Sequence, residues 1–97
     1  MKLRLTPQAT RDLAAIGDYL REINPAAALR VRAAILETFE DLSLFPRLGR
    51  RQTTEGVRKI ASRRYPYLVY YTIDEQAREV VVIAIRHPAR EREFDDA

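Results

Sequence analysis

Three residues at the ends of predicted strands carry side chains that could act on a phosphodiester: Arg58, Arg86 and His87. An arginine fork matches phosphate geometry, and histidine titrates nearest to neutral pH. Together they could stabilise a phosphorane and move a proton, which would be metal-independent RNA cleavage. The alternative is structural, because strand arginines keep sheet edges from aggregating and His87-Pro88 is also a simple strand stop.

The basic residues are concentrated in residues 45–64. This segment holds seven basic residues against Glu55 alone, a net charge of +6 in a chain of net charge +3. Such a patch attracts polyanions or an acidic protein partner, although a solvated arginine-rich loop has the same composition. We define the basic surface as these seven residues with two from the C-terminal part: Arg47, Arg50, Arg51, Arg58, Lys59, Arg63, Arg64, Arg86 and Arg90.

The composition argues against several other classes of site. The chain has no cysteine and one histidine, so we expect no metal site. The three glycines lack the spacing of a phosphate-binding loop, and we expect no cofactor. The N-terminus is too charged for a signal peptide and no apolar run is long enough for a membrane span. We therefore expect a soluble, cytoplasmic protein with a single domain over residues 1–97.

Four tyrosines fall within seven residues: Tyr65, Tyr67, Tyr70 and Tyr71. Exposed aromatic rings can stack on unpaired bases. A tyrosine-rich central strand more often forms core and cross-strand contacts. Because successive strand residues point to opposite faces, at most one of Tyr70 and Tyr71 can face a ligand.

The pattern of apolar residues predicts the elements that position these side chains. Thr6-Pro7 and Asn24-Pro25 each read as a helix cap followed by proline in the first turn. The predicted elements are a strand over Lys2–Leu5, helices over Pro7–Ile23 and Pro25–Leu44, a loop over 46–56, and strands over Val57–Ser62, Tyr65–Ile73 and Glu79–Arg86.

This β-α-α-β-β-β order predicts an α+β fold. An N-terminal strand precedes an antiparallel αα-hairpin, because so short a connection makes two helices antiparallel neighbours. The last three strands form an antiparallel meander. Because two helices separate the first strand from the meander, the first strand can join the sheet in a parallel pair. In a meander the strand ends are neighbours, so we expect Arg58, Arg86 and His87 to be able to converge.

The ordered set of segments resembles the ParE/RelE superfamily of toxins from bacterial type II toxin–antitoxin systems. The segments are "RLTPQATRDLAAIGDYL", "FPRLGRR", "GVRKI", "YPYLVYYTID" and "EVVVIAIRHPARE", which together cover about residues 2–92. The resemblance implies a cognate ParD-like antitoxin, assembled with the toxin as a hetero-oligomer. By similarity, Arg58 in "GVRKI" and Arg86 in "IRHPAR" are the positions that carry function.

The superfamily divides into two activities. RelE-like members are ribosome-dependent mRNA endonucleases, whereas ParE-like members poison DNA gyrase and lack the ribonuclease residues. Lys59 is the only lysine of the last three predicted strands and no tyrosine follows Tyr71, so the resemblance favours a ParE-like, non-catalytic toxin. A RelE-like ribonuclease using Arg58, Arg86 and His87, acting on ribosomes and mRNA, is the alternative. A member that only binds an antitoxin is another.

Overall fold

Seven elements follow one another in the order β-α-α-β-β-β-β. The computed structural model describes residues 1–88 of the chain. Both helices, the first strand and the last strand have the predicted bounds, so the α+β prediction is confirmed. The elements are β1 (Lys2–Leu5), α1 (Pro7–Ile23), α2 (Pro25–Leu44), β2 (Arg50–Arg51), β3 (Arg58–Ala61), β4 (Leu68–Asp74) and β5 (Glu79–Arg86).

The helices begin where they do because each has a side-chain cap. The Thr6 hydroxyl accepts a hydrogen bond from the Ala9 N–H at 3.1 Å. The Asn24 side-chain oxygen accepts one from the Ala27 N–H, also at 3.1 Å. Each cap satisfies an N–H that the first helical turn leaves without an intrahelical partner. Proline in that turn costs nothing, since its missing N–H would have had no such partner.

The sheet has five strands in the order β1-β5-β4-β3-β2. The predicted meander β3-β4-β5 is antiparallel, and β1 pairs parallel to β5, so the sheet is mixed. The predicted loop over 46–56 needs one correction, because it contains β2, in which Arg50 pairs with Lys59 and Arg51 with Arg58. A two-residue edge strand has no alternating pattern that the sequence could reveal.

The connection between β3 and β4 shortens both predicted strands. The Ser62 N–H donates to the Tyr67 carbonyl at 2.8 Å, and the Ser62 hydroxyl donates to the Tyr65 carbonyl at 2.7 Å. Pro66 has no N–H to offer a neighbouring strand. The turn therefore occupies the residues between Ser62 and Tyr67, and β4 begins at Leu68 instead of Tyr65.

The two helices cover one face of the sheet, and the core lies between the helices and that face. Ile35 and Leu42 of α2 share this core with apolar residues of β4 and β5, and both are fully buried. Tyr70 and Tyr71 are also fully buried. Neither of these two rings is exposed to stack on a base, so the core interpretation of both tyrosines is confirmed.

A bulge in β5 sets the direction of its last residues. Tyr70 lies opposite Ala84, whereas its neighbour Tyr71 lies opposite Val82. Ile83 is therefore an extra residue that has no counterpart on β4. Such bulges bend the strand and re-aim the side chains beyond them. The bulge lies just before Arg86 and His87, two of the residues that the sequence singles out.

Candidate functional site

The strand register places Arg58 beside the middle of β4 and Arg86 beside its first residue. Arg58 lies opposite Tyr71 on β4, and Arg86 lies opposite Leu68. Their separation is roughly 10 Å along β4 and roughly 10 Å across it. The cause is topological: β3 and β5 are both antiparallel to β4, and Arg58 opens β3 whereas Arg86 closes β5. The expected convergence of Arg58, Arg86 and His87 is not found.

Arg86 is held against α1 by Asp12. The Arg86 guanidinium donates to Asp12 Oδ2 at 2.8 Å, and the two side chains are only 15% and 11% exposed. The same oxygen accepts a hydrogen bond from the Ile85 N–H at 3.0 Å. One carboxylate thus joins the first helix to the end of β5. In this conformation the Arg86 side chain has a structural role.

Arg58 and Tyr71 hold residues 46–49 against the sheet, an arrangement we call the loop clamp. The Arg58 guanidinium donates to the carbonyls of Gly49 at 2.8 Å and Arg47 at 3.3 Å. The Tyr71 hydroxyl donates to the Pro46 carbonyl at 2.7 Å and accepts from the Gly49 N–H at 2.8 Å. Burial raises the pKa of Tyr71, against smaller lowering effects of the Gly49 N–H and of Arg58.

A side chain at Gly49 would collide with the loop clamp. A Cβ atom there would lie 2.6 Å from the Tyr71 hydroxyl oxygen and 3.0 Å from the Lys59 carbonyl oxygen. We expect Gly49→Ala to lower the free energy of unfolding by about 2–3 kcal/mol, measured by urea denaturation. In Gly17→Ala the new methyl would meet only the flexible end of Arg21, at 3.2 Å. The free energy of unfolding of that variant should rise by up to about 1 kcal/mol, because alanine has the higher helix propensity. Equal changes in the two variants would show that the loop clamp does not depend on the absence of a side chain at position 49.

His87 lies in a cleft between α1 and the end of β5, with a volume of about 380 Å³. We call it the aromatic cleft. The Tyr67 and His87 rings meet edge to face, with their centroids 5.5 Å apart. Burial raises the pKa of Tyr67, and the nearby Tyr19 phenol raises it further. The cleft is lined by Asp12, Ala15, Ile16, Tyr19, Tyr67, Ile85, Arg86 and His87.

The sequence did not reveal this cleft. Tyr19 is 64% exposed, and nothing in the sequence of α1 singled it out. Asp12 is one of several acidic residues in the N-terminal half. Its contact with Arg86 spans 74 positions of the chain, and spacing along a helix cannot predict such a contact.

Ion pairs neutralise part of the basic surface. Arg47 pairs with Glu75 at 2.7 Å, and Arg63 pairs with Asp41 at 3.0 Å. Exposed pairs like these add little to stability but reduce the local positive charge. Arg63 and Arg64 lie in the turn after β3, at the end of β3 away from Arg58. Arg90 lies outside the described residues.

Four residues of the basic surface lie on the β2–β3 ladder. Arg50 lies opposite Lys59, and Arg51 lies opposite Arg58, so both pairs of the ladder set like charges against each other. Arg50 and Arg51 are exposed. Directly opposed like charges destabilise a sheet, and β2 is its edge strand. An acidic partner at this edge would relieve that repulsion.

Residues 3–92 match the family described as the ParE toxin of type II toxin–antitoxin systems, parDE. The chain belongs to the ParE toxin family. It is therefore a type II toxin of the ParE/RelE superfamily, as its sequence resemblance implied.

The toxin is similar to proteins from both branches of the superfamily. Toxin RelE2 of Caulobacter vibrioides is 32% identical over 85 residues, which are 88% of this chain and 92% of that protein. A chain of the chromosomal ParDE system from P. aeruginosa is 28% identical with a TM-score of 0.74, covering 90% of this chain and 95% of that one. A chain of the RelBE2 toxin–antitoxin complex from Mycobacterium tuberculosis is 33% identical with a TM-score of 0.62, covering 91% of each.

A groove of about 550 Å³ runs between the two helices of the toxin. Leu13 and Ile35 line it, and Arg21 and Arg32 bring positive charge to it. Leu29 also lines it and is 72% exposed. Large exposed apolar side chains beside a groove are typical of protein-binding surfaces.

No cluster of three or more His, Asp or Glu side chains that could hold a metal ion occurs within residues 1–88. Over the same residues, neither helix is long and apolar enough to cross a membrane.

Proposed function

We propose that this toxin inhibits growth by binding DNA gyrase, and that a cognate ParD-like antitoxin neutralises it. One observation carries the proposal: Arg58 and Arg86 lie on the two strands that flank β4, beside residues three positions apart, and hydrogen bonds within the toxin hold the side chain of each. A phosphate held by one of them would be far from the other. Inhibition by binding requires a surface and no such constellation, and function must be argued from the site.

Two surfaces of the toxin are suited to binding an antitoxin. The β2–β3 ladder offers positive charge at a sheet edge, which suits an acidic extended segment. The groove between α1 and α2 offers apolar side chains, which suit the apolar face of an amphipathic helix. Several solved structures similar to this chain are toxin–antitoxin complexes, which agrees with a hetero-oligomer.

A supercoiling assay with purified DNA gyrase tests the proposed target. The purified toxin should inhibit supercoiling of relaxed plasmid in proportion to its concentration. His87→Ala, which alters an exposed side chain beyond the last strand, should inhibit to the same extent. Full supercoiling activity at a large molar excess of folded toxin would contradict the proposal.

A RelE-like ribonuclease is the second candidate, because relatives at 32% and 33% identity carry RelE or RelBE names. His87 would then be the general acid or base, since it is the only histidine of the chain. In that case the toxin cleaves mRNA on translating ribosomes, and His87→Ala abolishes cleavage while the fold persists. A toxin without any effect on growth would instead be a member that only binds its antitoxin.

A further inference from the structure

Three large apolar side chains are exposed where α2 ends, and we call them the apolar tip. Leu44 is 72% exposed, Phe45 is 63% exposed and Leu48 is 51% exposed. The Leu48 N–H donates to the Phe45 carbonyl at 3.0 Å, so the chain turns here and the three residues belong to one feature. Single exposed apolar residues are ordinary on a protein surface, whereas a group of them marks an interaction site.

The backbone of the apolar tip is held in place although its side chains lie in solvent. The Phe45 N–H donates to the Asp41 carbonyl at 2.7 Å, where α2 ends. The loop clamp then engages the carbonyls of Pro46 at 2.7 Å and Gly49 at 2.8 Å. Tyr71, which makes one of these contacts, is fully buried in the core. A preformed anchor loses little conformational entropy on binding, so this arrangement favours a tight contact.

Positive charge borders the apolar tip. Arg47 lies within the loop, Arg50 and Arg51 follow on β2, and all three are exposed. Arg47 pairs with Glu75, whereas Arg50 and Arg51 each lie opposite another cation. An apolar centre with a charged rim is the usual composition of a protein interface. By charge complementarity, the surface that receives the tip carries carboxylates around an apolar hollow.

The shape of the apolar tip distinguishes between classes of protein partner. Side chains that are more than half exposed project from the toxin, so the partner must supply the hollow. A helix or an extended segment of an antitoxin needs a groove or a sheet edge, and the toxin offers these elsewhere, between α1 and α2 and along β2. Concave sites of the required kind are features of folded proteins. The tip therefore fits a folded target better than an antitoxin segment.

We propose that the apolar tip is the anchor through which the toxin binds DNA gyrase, with Phe45 inserted into an apolar pocket rimmed by carboxylates. This inference rests on the gyrase target proposed above and adds the surface that contacts it. Phe45 and Leu48 are binding residues. Tyr71 is a positioning residue, since it acts through the backbone of the loop that it holds.

Alanine variants of the apolar tip test the inference in the supercoiling assay with purified DNA gyrase. Phe45→Ala should raise the toxin concentration for half-inhibition at least about 10-fold, as the loss of an anchor residue does. Leu48→Ala should raise it at least about 3-fold. Both variants should melt like the unmodified toxin, because the truncated side chains lie mostly in solvent.

Ile23→Ala is the matched control for these variants. Ile23 is a large apolar residue that is 62% exposed, close to the exposure of Phe45. It is the last residue of α1, so the 20-residue helix α2 separates it from the apolar tip by roughly 30 Å. Its half-inhibitory concentration should equal that of the unmodified toxin.

Tyr71→Phe separates the positioning role from direct contact. It keeps the ring but removes the hydroxyl that bonds the Pro46 carbonyl and the Gly49 N–H. Hydrogen exchange of the Gly49 amide should accelerate, and the half-inhibitory concentration should rise by about 2-fold to 10-fold although the side chains of the tip are intact. Faster exchange with unchanged inhibition would show that the loop clamp does not position the tip.

Two outcomes would overturn the inference while leaving the gyrase target in place. The first is equal inhibition by Phe45→Ala, Leu48→Ala and the unmodified toxin. The second is binding of the toxin to phosphatidylglycerol vesicles that is lost in Phe45→Ala while inhibition of gyrase persists, which would make the tip a lipid anchor. If the unmodified toxin itself does not inhibit gyrase, the proposed target and this inference both fail, so the two kinds of failure are distinguishable.

Discussion

Asp12→Ala is expected to lower the free energy of unfolding by about 3–5 kcal/mol, as removal of one partner from a buried ion pair does. The Arg86 guanidinium would keep its charge at 15% exposure without the carboxylate that now faces it. The Ile85 N–H would also lose its acceptor. Urea denaturation of the purified toxin measures the change, because the midpoint shifts directly with stability.

Asp18→Ala is the matched control for this prediction. Asp18 also lies on α1 and also pairs with an arginine, Arg21, but the two side chains are 72% and 61% exposed. An exposed pair of this kind contributes about 0–1 kcal/mol, so the control should unfold almost like the unmodified toxin. Similar midpoints for Asp12→Ala and Asp18→Ala would show that the Asp12–Arg86 contact does not tie α1 to β5.

Ile35→Ala is the second change with a large expected effect. Ile35 lies on the buried side of α2, is fully buried, and belongs to the cluster that joins the helices to the sheet. Removing three carbon atoms there loses their transfer free energy and leaves a cavity, which together cost about 2–5 kcal/mol. In a domain of this size the melting temperature should fall by at least about 8 °C.

Ile23→Ala makes the same chemical change at an exposed position. Ile23 is the last residue of α1 and is 62% exposed, so its truncation leaves no buried cavity. We expect a change in stability within about 0.5 kcal/mol, as at most surface sites. A melting temperature that falls equally in the two variants would mean that α2 packs against the sheet through another face.

Local signals in the sequence were sufficient to predict the helices and most strands. Thr6-Pro7 and Asn24-Pro25 each combine a side-chain cap with a proline, so they fix where α1 and α2 begin. The apolar residues of β5 occur on both faces, as is typical of an interior strand, and β5 lies between β1 and β4. These signals act over a few residues, and a single sequence contains all of them.

The candidate site depended on facts that are not local. The distance between Arg58 and Arg86 follows from the register of two strand pairs and from the extra residue Ile83 in β5. No composition or periodicity reveals a single-residue bulge. The Asp12–Arg86 pair and the Tyr67 contacts join segments far apart in the chain. The sequence therefore identified arginines that matter to the fold, but not the contacts that engage them.

The rate of amino-acid incorporation in the minutes after induction, without an antitoxin, tests the central claim most directly. A toxin that binds gyrase leaves ribosomes and mRNA intact, so incorporation should persist while the cells filament and lose viability. A ribosome-dependent endonuclease would destroy mRNA at once. A prompt collapse of incorporation, absent in His87→Ala, would contradict the proposed gyrase target and identify the toxin as a ribonuclease.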